Sequence, residues 1–354
     1  MVTGVFFMSK HVDYIIVGGG ISGCVLSYML MKYGANVMLF DLPDENKSSS
    51  VAAGLWNPVV LKRMKKVWRA DAMIDELNRI YSDIEKWTES QFFDPISIRR
   101  VFHNASEQNT WTELCDSPGF KAFLEDKIEP LPNGIKGKFK SGKMKNTGRL
   151  QVVPFMNAVH DALKQADSFR EKRFDWKNVQ RDSEGVSYED IRAHGIISCE
   201  GTQMALNVQS IEQQGFAPVK GELLRIALDR PLSNECIHQK YFMLSEGINK
   251  VTVGATYAWD GFEKGPTAEK RKELEEHLNL VWEGSFETEE QLSGIRPATR
   301  DRKPIIGPHE LRHTWVFGGM GSRAVLMAPY LAKVLVEHLM YGTDLLEECL
   351  PSRF

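Results

Sequence analysis

The sequence predicts an α/β protein built as two domains: a discontinuous Rossmann-like dinucleotide-binding domain and a mostly antiparallel β domain of α+β character. Three observations carry this expectation. Residues 13–41 read as one βαβ unit, and a second strand–glycine turn–helix pattern begins near His313. Between them, residues 216–259 are dominated by extended runs such as VKGELLRIAL, QKYFML and KVTVGATYAW.

In the first unit, Tyr14 to Val17 is an apolar run suited to a buried parallel strand. Gly18, Gly20 and Gly23 then spell G-x-G-x-x-G. Ile21 to Tyr33 has helix-forming composition, Gly34 stops it, and Asn36 to Phe40 is a second strand. Gly18 permits the tight turn, Gly20 leaves the backbone bare for a pyrophosphate, and Gly23 lets helix and strand pack closely. Ile21 and Ser22 open the helix, where unpaired N–H groups and the dipole favour phosphate. Asp41, 18 residues after Gly23, is placed to accept from ribose hydroxyls. An acid there disfavours a 2′-phosphate, so FAD or NAD is favoured over NADP. The competing reading is a glycine-rich turn of an ordinary α/β protein.

The length, 354 residues, accommodates about two domains. With 42% hydrophobic and 26% charged residues the composition is that of a globular protein. A net charge of −3 gives no global electrostatic case for nucleic acid or an anionic membrane. The five cysteines (Cys24, Cys115, Cys199, Cys236, Cys349) are scattered without C-x-x-C, which predicts reduced thiols and a cytoplasmic location. No apolar run is expected to reach transmembrane length, and the first residues lack signal-peptide features. Met8 is an alternative start. The nine histidines show no metal-binding spacing, so no metal is predicted.

After Asp41 comes a polar loop, then SSSVAAGLWNPV. Ser49, Ser50, Ala53 and Gly54 are small enough for backbone to pass close to a bound ring; a flexible loop is the alternative. Residues 69–90 have helical spacing, whereas 91–144 mix extended and helical pieces. The lysine-rich run NGIKGKFKSGKMKNTGR predicts a solvated hairpin. A helix is expected from Pro154, then strands at Ser168 to Phe174, Gly185 to Glu189 and His194 to Cys199. Gly201 ends the last of these and can admit a cofactor to its backbone. Residues 267–282 form an amphipathic helix. In the C-terminal pattern Gly319, Gly321 and Ala324 spell G-x-G-x-x-A. A second dinucleotide fold is rejected, because no further strand and acid follow. The better reading is a helix N-terminus aimed at the same cofactor, favouring negative charge on a reduced ring. The first domain is therefore expected at 10–90, 150–212 and 291–345, and the second at 91–149 and 213–290.

Four stretches, VGGGISG with Asp41, SSSVAAGLWNPV, VTVGATY, and GIRPATRDRKPIIG followed by GGMGSRAVLMAP, carry a resemblance across nearly the whole chain. The chain resembles the FAD-dependent amino acid oxidase family that includes D-amino acid, glycine and sarcosine oxidases. The GATY and GSR-x-x-x-x-AP patterns look most like the oxidase domain of the bifunctional enzyme that modifies the tRNA wobble uridine. The methyltransferase half of that enzyme is missing, and Ala324 stands where its glycine is usual.

The resemblance implies an FAD-dependent oxidoreductase acting on a CH–NH or CH–NH2 bond. Hydride passes to flavin N5, the imine hydrolyses, and O2 is the acceptor. The resemblance assigns Arg296, in GIRP, to the substrate carboxylate; an ion pair with a nearby acid is the alternative. Arg323 is a candidate for flavin or substrate contact, or a surface arginine. Tyr257 is a candidate pocket residue, or core. Gly318, Gly319, Met320, Gly321 and Ser322 are candidates for the flavin ring, and backbone at Arg173 or Phe174 for the adenine. The substrate-facing tyrosine of the family falls at Phe242, beside Tyr241, which removes a hydroxyl that helps hold the carboxylate. Trp56 is a pocket-wall candidate, Arg300 and Arg302 read as solvent or ion-pair residues, and Cys24 as core.

The expected partner is a small-molecule amine or amino acid, with no membrane. A stand-alone tRNA wobble-uridine carboxymethylaminomethyl oxidase is the first alternative; KRMKK (62–66) and the 136–145 lysines offer it a local basic face, against the acidic balance of the chain. A non-catalytic FAD or NAD binding module is the second.

Overall fold

The structure, a computed structural model, describes residues 10–42, 48–206 and 214–354. The alternative start at Met8 and most of the polar loop after Asp41 lie outside these residues.

Two large sheets dominate. The first is built on parallel pairing of the opening strand, Lys10–Val17, with Val37–Asp41 on one side and Ile191–Ser198 on the other. Phe169–Glu171 extends it beyond Val37–Asp41. The C-terminal half of Ile191–Ser198 pairs with Thr314–Gly318, and its N-terminal half with Val186–Tyr188. These strands are buried on both faces, which explains why Tyr14–Val17 and Val37–Phe40 are continuous apolar runs rather than alternating ones. Helices cover one face: Ile21–Lys32 packs against Val152–Gln165 and the C-terminal helix Ala324–Tyr341, which also packs on Ala70–Thr88. Phe174, Tyr188 and Phe40 form an aromatic cluster on the other face.

The second sheet has eight strands in the order Phe286–Arg296, Val219–Leu228, Lys250–Gly254, Phe242–Ser245, Cys236–His238, Ile98–Val101, Ser141–Met144 and Leu124–Glu129. Its neighbours are antiparallel except for Cys236–His238 beside Ile98–Val101. Helix Ala268–Val281, capped by Thr267, buries Leu274, Leu278 and Val281 against one face.

Three expectations change. The lysine-rich run is not a hairpin: Ser141–Met144 pairs in the second sheet, while Gly148–Leu150 pairs with Leu55–Trp56 and Phe93–Pro95 in a small third one. The helix predicted from Pro154 starts at Val152, because a proline in the first turn gives up only an N–H that has no intrahelical partner. Finally, Gly321–Tyr341 is a helical stretch long and apolar enough to cross a membrane by length and composition. In this fold it is a core element, burying Val325 to Pro329 and Leu335 while Lys333 pairs with Glu76 at 2.6 Å. All five cysteines are buried, and none is in a disulfide.

The closest packing lies inside the first βαβ unit. Gly18 has φ +101°, and a Cβ on Gly23 would lie 1.8 Å from the Gly18 carbonyl oxygen. Gly23→Ala therefore forces helix and strand apart and is expected to destabilise the fold by at least about 1–3 kcal/mol, the usual cost of overpacking. Gly119→Ala, with nothing within 4 Å of the added carbon, should stay within about 0.5 kcal/mol of the parent. Urea denaturation of both variants checks the difference.

Candidate functional site

A cavity of about 420 Å³ opens between the two sheets. Its wall includes the turn Gly20–Ser22 at the start of the first helix and, beside it, Gly318–Ser322 and Arg323 at the start of the last. Both helix N-termini therefore face one space, which favours anionic occupants. Their positions are fixed locally. Ile21 N–H donates to Ser49 Oγ at 3.3 Å, and the Ser22 hydroxyl contacts Met320 Sδ at 3.7 Å. Gly321 N–H donates to the Pro297 carbonyl at 3.1 Å, and the Tyr81 hydroxyl donates to the Val325 carbonyl at 3.1 Å.

Ala53 and Gly54 form a side wall. Arg149 Nε donates to the Ala53 carbonyl at 3.2 Å and the Leu150 N–H to that of Gly54 at 3.0 Å. Ser49 lies on the wall, but Ser50 does not; Ser48 and Val51 of the short helix Ser48–Val51, with Ala52 just after it, complete this part. The helical phase turns Ser50 away from the wall. Gly201 is on the wall with φ +58°. Gly18 and Gly23 are not; they shape the turn behind it. Asp41 is also off the wall, buried with its carboxyl carbon 2.8 Å from where a Gly19 Cβ would stand. Arg173 is exposed, and the Phe174 ring stacks on Tyr188 at 4.1 Å in the core, so neither side chain reaches the cavity.

The remaining wall comes from the second sheet and holds Arg296, Tyr257, Phe242, Lys240 and His238. Arg296 ends the strand Phe286–Arg296. Its guanidinium donates to the Thr256 carbonyl at 3.2 Å and lies 4.5 Å from the Tyr257 ring centroid. Among the described residues no carboxylate pairs with it, so the ion-pair alternative for Arg296 has no partner here. Burial pushes the Arg296 and Arg323 pKa values down from the usual arginine value, while Tyr257 acts on both guanidiniums in the opposite sense. Tyr257 is not a core residue: it is 57% exposed at the cavity rim. Phe242 faces the cavity, whereas Tyr241 turns to the opposite face and its hydroxyl donates to Glu273. Trp56 is a buried wall residue stacked on Phe93.

A buried network holds this wall. Glu222 and Lys220 pair at 3.2 Å with almost no exposure. Glu222 also accepts from Thr267 N–H and Gln291, and Lys220 donates to the Gly265 carbonyl. Glu222 and Thr256 exchange two further bonds, of 3.0 Å each. The segment carrying Tyr257 is thus tied at both ends to the strand Val219–Leu228 beside Arg296.

Sequence reasoning missed Gly221, Lys240 and His238. A Cβ on Gly221 would lie 2.1 Å from Arg296 Nη2, so the guanidinium occupies space that only glycine leaves. A glycine inside a strand pattern signals such an approach. Lys240 lies in the tight turn between the strands Cys236–His238 and Phe242–Ser245, which brings it to the same wall as Phe242. His238 Nδ1 accepts from Arg100 Nη1 at 2.9 Å; burial, then Arg100, pushes its pKa down to about 3.

These features fit an anionic dinucleotide. Two helix N-termini converge, glycine backbone lines the wall, and no acid among the described residues does. Trp56 Nε1 and Asn57 Oδ1 are buried on wall residues without partners among the described residues, leaving polar capacity for a bound ring.

The comparisons agree with this geometry. Residues 13–338 match the family of FAD dependent oxidoreductases. The glycine oxidase of Bacillus subtilis strain 168 is 22% identical, aligned over 94% of each chain. The tRNA 5-methylaminomethyl-2-thiouridine biosynthesis bifunctional protein of Leptospira interrogans is 21% identical over 96% of this chain but only 60% of its own length. The crystal structure of glycine oxidase from Geobacillus kaustophilus superposes with a TM-score of 0.76 at 18% identity, covering 95% of this chain and 96% of that one. Iminodiacetate oxidase from Chelativorans sp. BNC1 gives 0.76 at 17% identity, covering 96% and 99%.

Two outcomes follow from the wall. Gly221→Ala should displace Arg296 and weaken binding of a small carboxylate by about 10- to 100-fold, the range for a charge-assisted bond, while far-ultraviolet circular dichroism stays unchanged; calorimetric titration with acetate derivatives checks it. His238 is neutral in both folded and unfolded chains above about pH 6.5. Below that the unfolded chain takes up a proton that the folded chain refuses, so its contribution to stability is lost as pH falls from about 6.5 to about 3. His238→Gln should flatten that part of a stability–pH profile.

Proposed function

The chain belongs to the FAD-dependent oxidoreductase family, and from that premise we propose that it oxidises the C–N bond of an amino acid or a carboxylate-bearing secondary amine. The observation that carries this reading is Arg296: a cation on the wall of the cavity, held in place by Thr256 and Gly221 and paired with no carboxylate among the described residues. A guanidinium fork matches a carboxylate bidentately. The glycine oxidase and iminodiacetate oxidase names of the relatives support the same substrate class.

When bound, FAD supplies the two-electron acceptor chemistry. In this reading Gly20, Ile21, Ser22 and Ser49 hold the pyrophosphate, Asp41 the ribose, and backbone at Arg173 and Phe174 the adenine. Ala53, Gly54, Gly201 and the backbone of Gly318 to Ser322 surround the ring. Arg296 binds the substrate carboxylate, with Tyr257 and Arg323 beside it, and Phe242 supplies an apolar wall. The carbon next to nitrogen loses a hydride, the nitrogen loses a proton, and water completes C–N cleavage. O2 is the proposed acceptor and the cytoplasm the proposed location, the latter on the strength of five cysteines outside any disulfide. We assign the first sheet with its helices to the cofactor domain and the second sheet to the substrate domain; a boundary at 291 would cut the strand Phe286–Arg296, so it is better set after Arg296.

Anaerobic titration of the FAD-loaded protein with amino acids, N-substituted glycines and a tRNA carrying carboxymethylaminomethyl-uridine tests the reading. Small amines should bleach the flavin band. Arg296→Met should raise the half-saturating concentration by about 10- to 100-fold without loss of bound FAD. Bleaching by the tRNA alone, or by nothing, would overturn it.

A further inference from the structure

The charge on the cavity wall is one-sided. Arg296, Arg323, Lys240 and Lys62 lie on it, and no aspartate or glutamate among the described residues does. Several partly buried cations elsewhere are balanced within the chain, Arg99 by Glu129 and Glu235, Arg100 by Glu107 and Arg149 by Glu246; Arg181, away from the cavity wall, has only the Arg312 carbonyl among the described residues. Lys240 is balanced too, by Glu273 at 3.1 Å. Lys62 is solvent-exposed and balanced by water. Arg296 and Arg323 differ from these. Both are half-buried on this wall, both interact electrostatically with the same tyrosine, Tyr257, and neither has a carboxylate partner among the described residues.

Taking a guanidinium out of water without a counter-charge is costly. A substrate with one carboxylate offsets one such cost and leaves the other. We propose that the substrate is an amine carrying two acidic groups, one held by Arg296 and the second by Arg323. This deepens the reading of the site as an amine oxidase and rests on it for the placement of substrate. The rival task for Arg323, balancing negative charge on a reduced ring, is already served by the N-terminus of the helix Ala324–Tyr341 beside it.

The test uses ligands that need no turnover. Thiodiacetate has two carboxylates and methylthioacetate one; in both, sulfur replaces the oxidisable N–H. Isothermal titration of the FAD-loaded protein should show thiodiacetate binding at least about tenfold more tightly, the weight of one charge-assisted bond. Arg323→Met should reduce that ratio to about twofold or less, and Arg323→Lys should keep part of it. Equal affinities in the parent protein, binding of neither ligand, or a preference that survives Arg323→Met would each overturn the proposal. So would an Arg323→Met variant whose flavin midpoint potential falls while the ratio is unchanged. If the preference is present but no amine bleaches the flavin, the oxidase reading fails and the dianion site stands.

Discussion

The contact between Gly23 and the Gly18 carbonyl is the constraint on which the site depends. It sets how deeply the first helix seats on the sheet, and therefore where the N–H groups of Gly20 to Ser22 point. The second helix N-terminus has to meet the same space from the far end of the chain. It does so because Thr314–Gly318 lies parallel to Ile191–Ser198, itself parallel to Lys10–Val17. Strand order thus delivers both positive helix ends to one edge of the sheet, the carboxyl end where open α/β sheets bind ligands. No side chain creates this potential; backbone dipoles do, which makes it insensitive to pH.

The second sheet contributes the opposite kind of component, charged side chains whose positions must be enforced. Arg296 is a long, flexible side chain, and on an open surface its rotamer freedom would make it a poor anchor. Here the absent side chain of Gly221 gives it a resting place, the Thr256 carbonyl accepts a hydrogen bond from it, and the Tyr257 ring lies over its charge. Behind them the Lys220–Glu222 pair is fully enclosed. Such pairs contribute little net stability. What this one does is tie Thr256, Thr267 and Gln291 to one strand, so that the segment bearing Tyr257 has a defined position relative to Arg296.

The parts legible in the sequence were those governed by local rules. The glycine spacing of the first unit, the strand-to-helix turn at Gly318 to Ser322, and the apolar runs of the parallel strands are written within about thirty contiguous residues. What escaped depends on pairing at a distance. The lysine-rich run resembled a hairpin because its two extended pieces are neighbours in sequence, yet their partners come from different sheets. Ser50 was grouped with Ser49 because composition carries no helical phase over so short a segment. Gly221 acquires meaning only from a strand pairing that places Val219 beside Arg296, and Lys240 only from the turn between Cys236–His238 and Phe242–Ser245 that carries it to the cavity. The apolar C-terminal helix was underestimated as a membrane-length stretch because Arg323, Lys333 and Glu337 interrupt its hydropathy while its buried side remains continuous.

The order of strands in the first sheet also bears on how the protein is made. Lys10–Val17 leaves the ribosome first, but its partner Ile191–Ser198 is about 180 residues behind, and Thr314–Gly318 later still. Until the last of these arrives, the glycine turn at residues 18–23 lacks its opposing wall, and the C-terminal half of Ile191–Ser198 presents a bare parallel edge of the kind that templates mispairing. Cofactor capture is therefore an event of the completed chain. A nascent chain stalled before residue 314 would hold the nucleotide motif intact in sequence and yet lack one wall of its site.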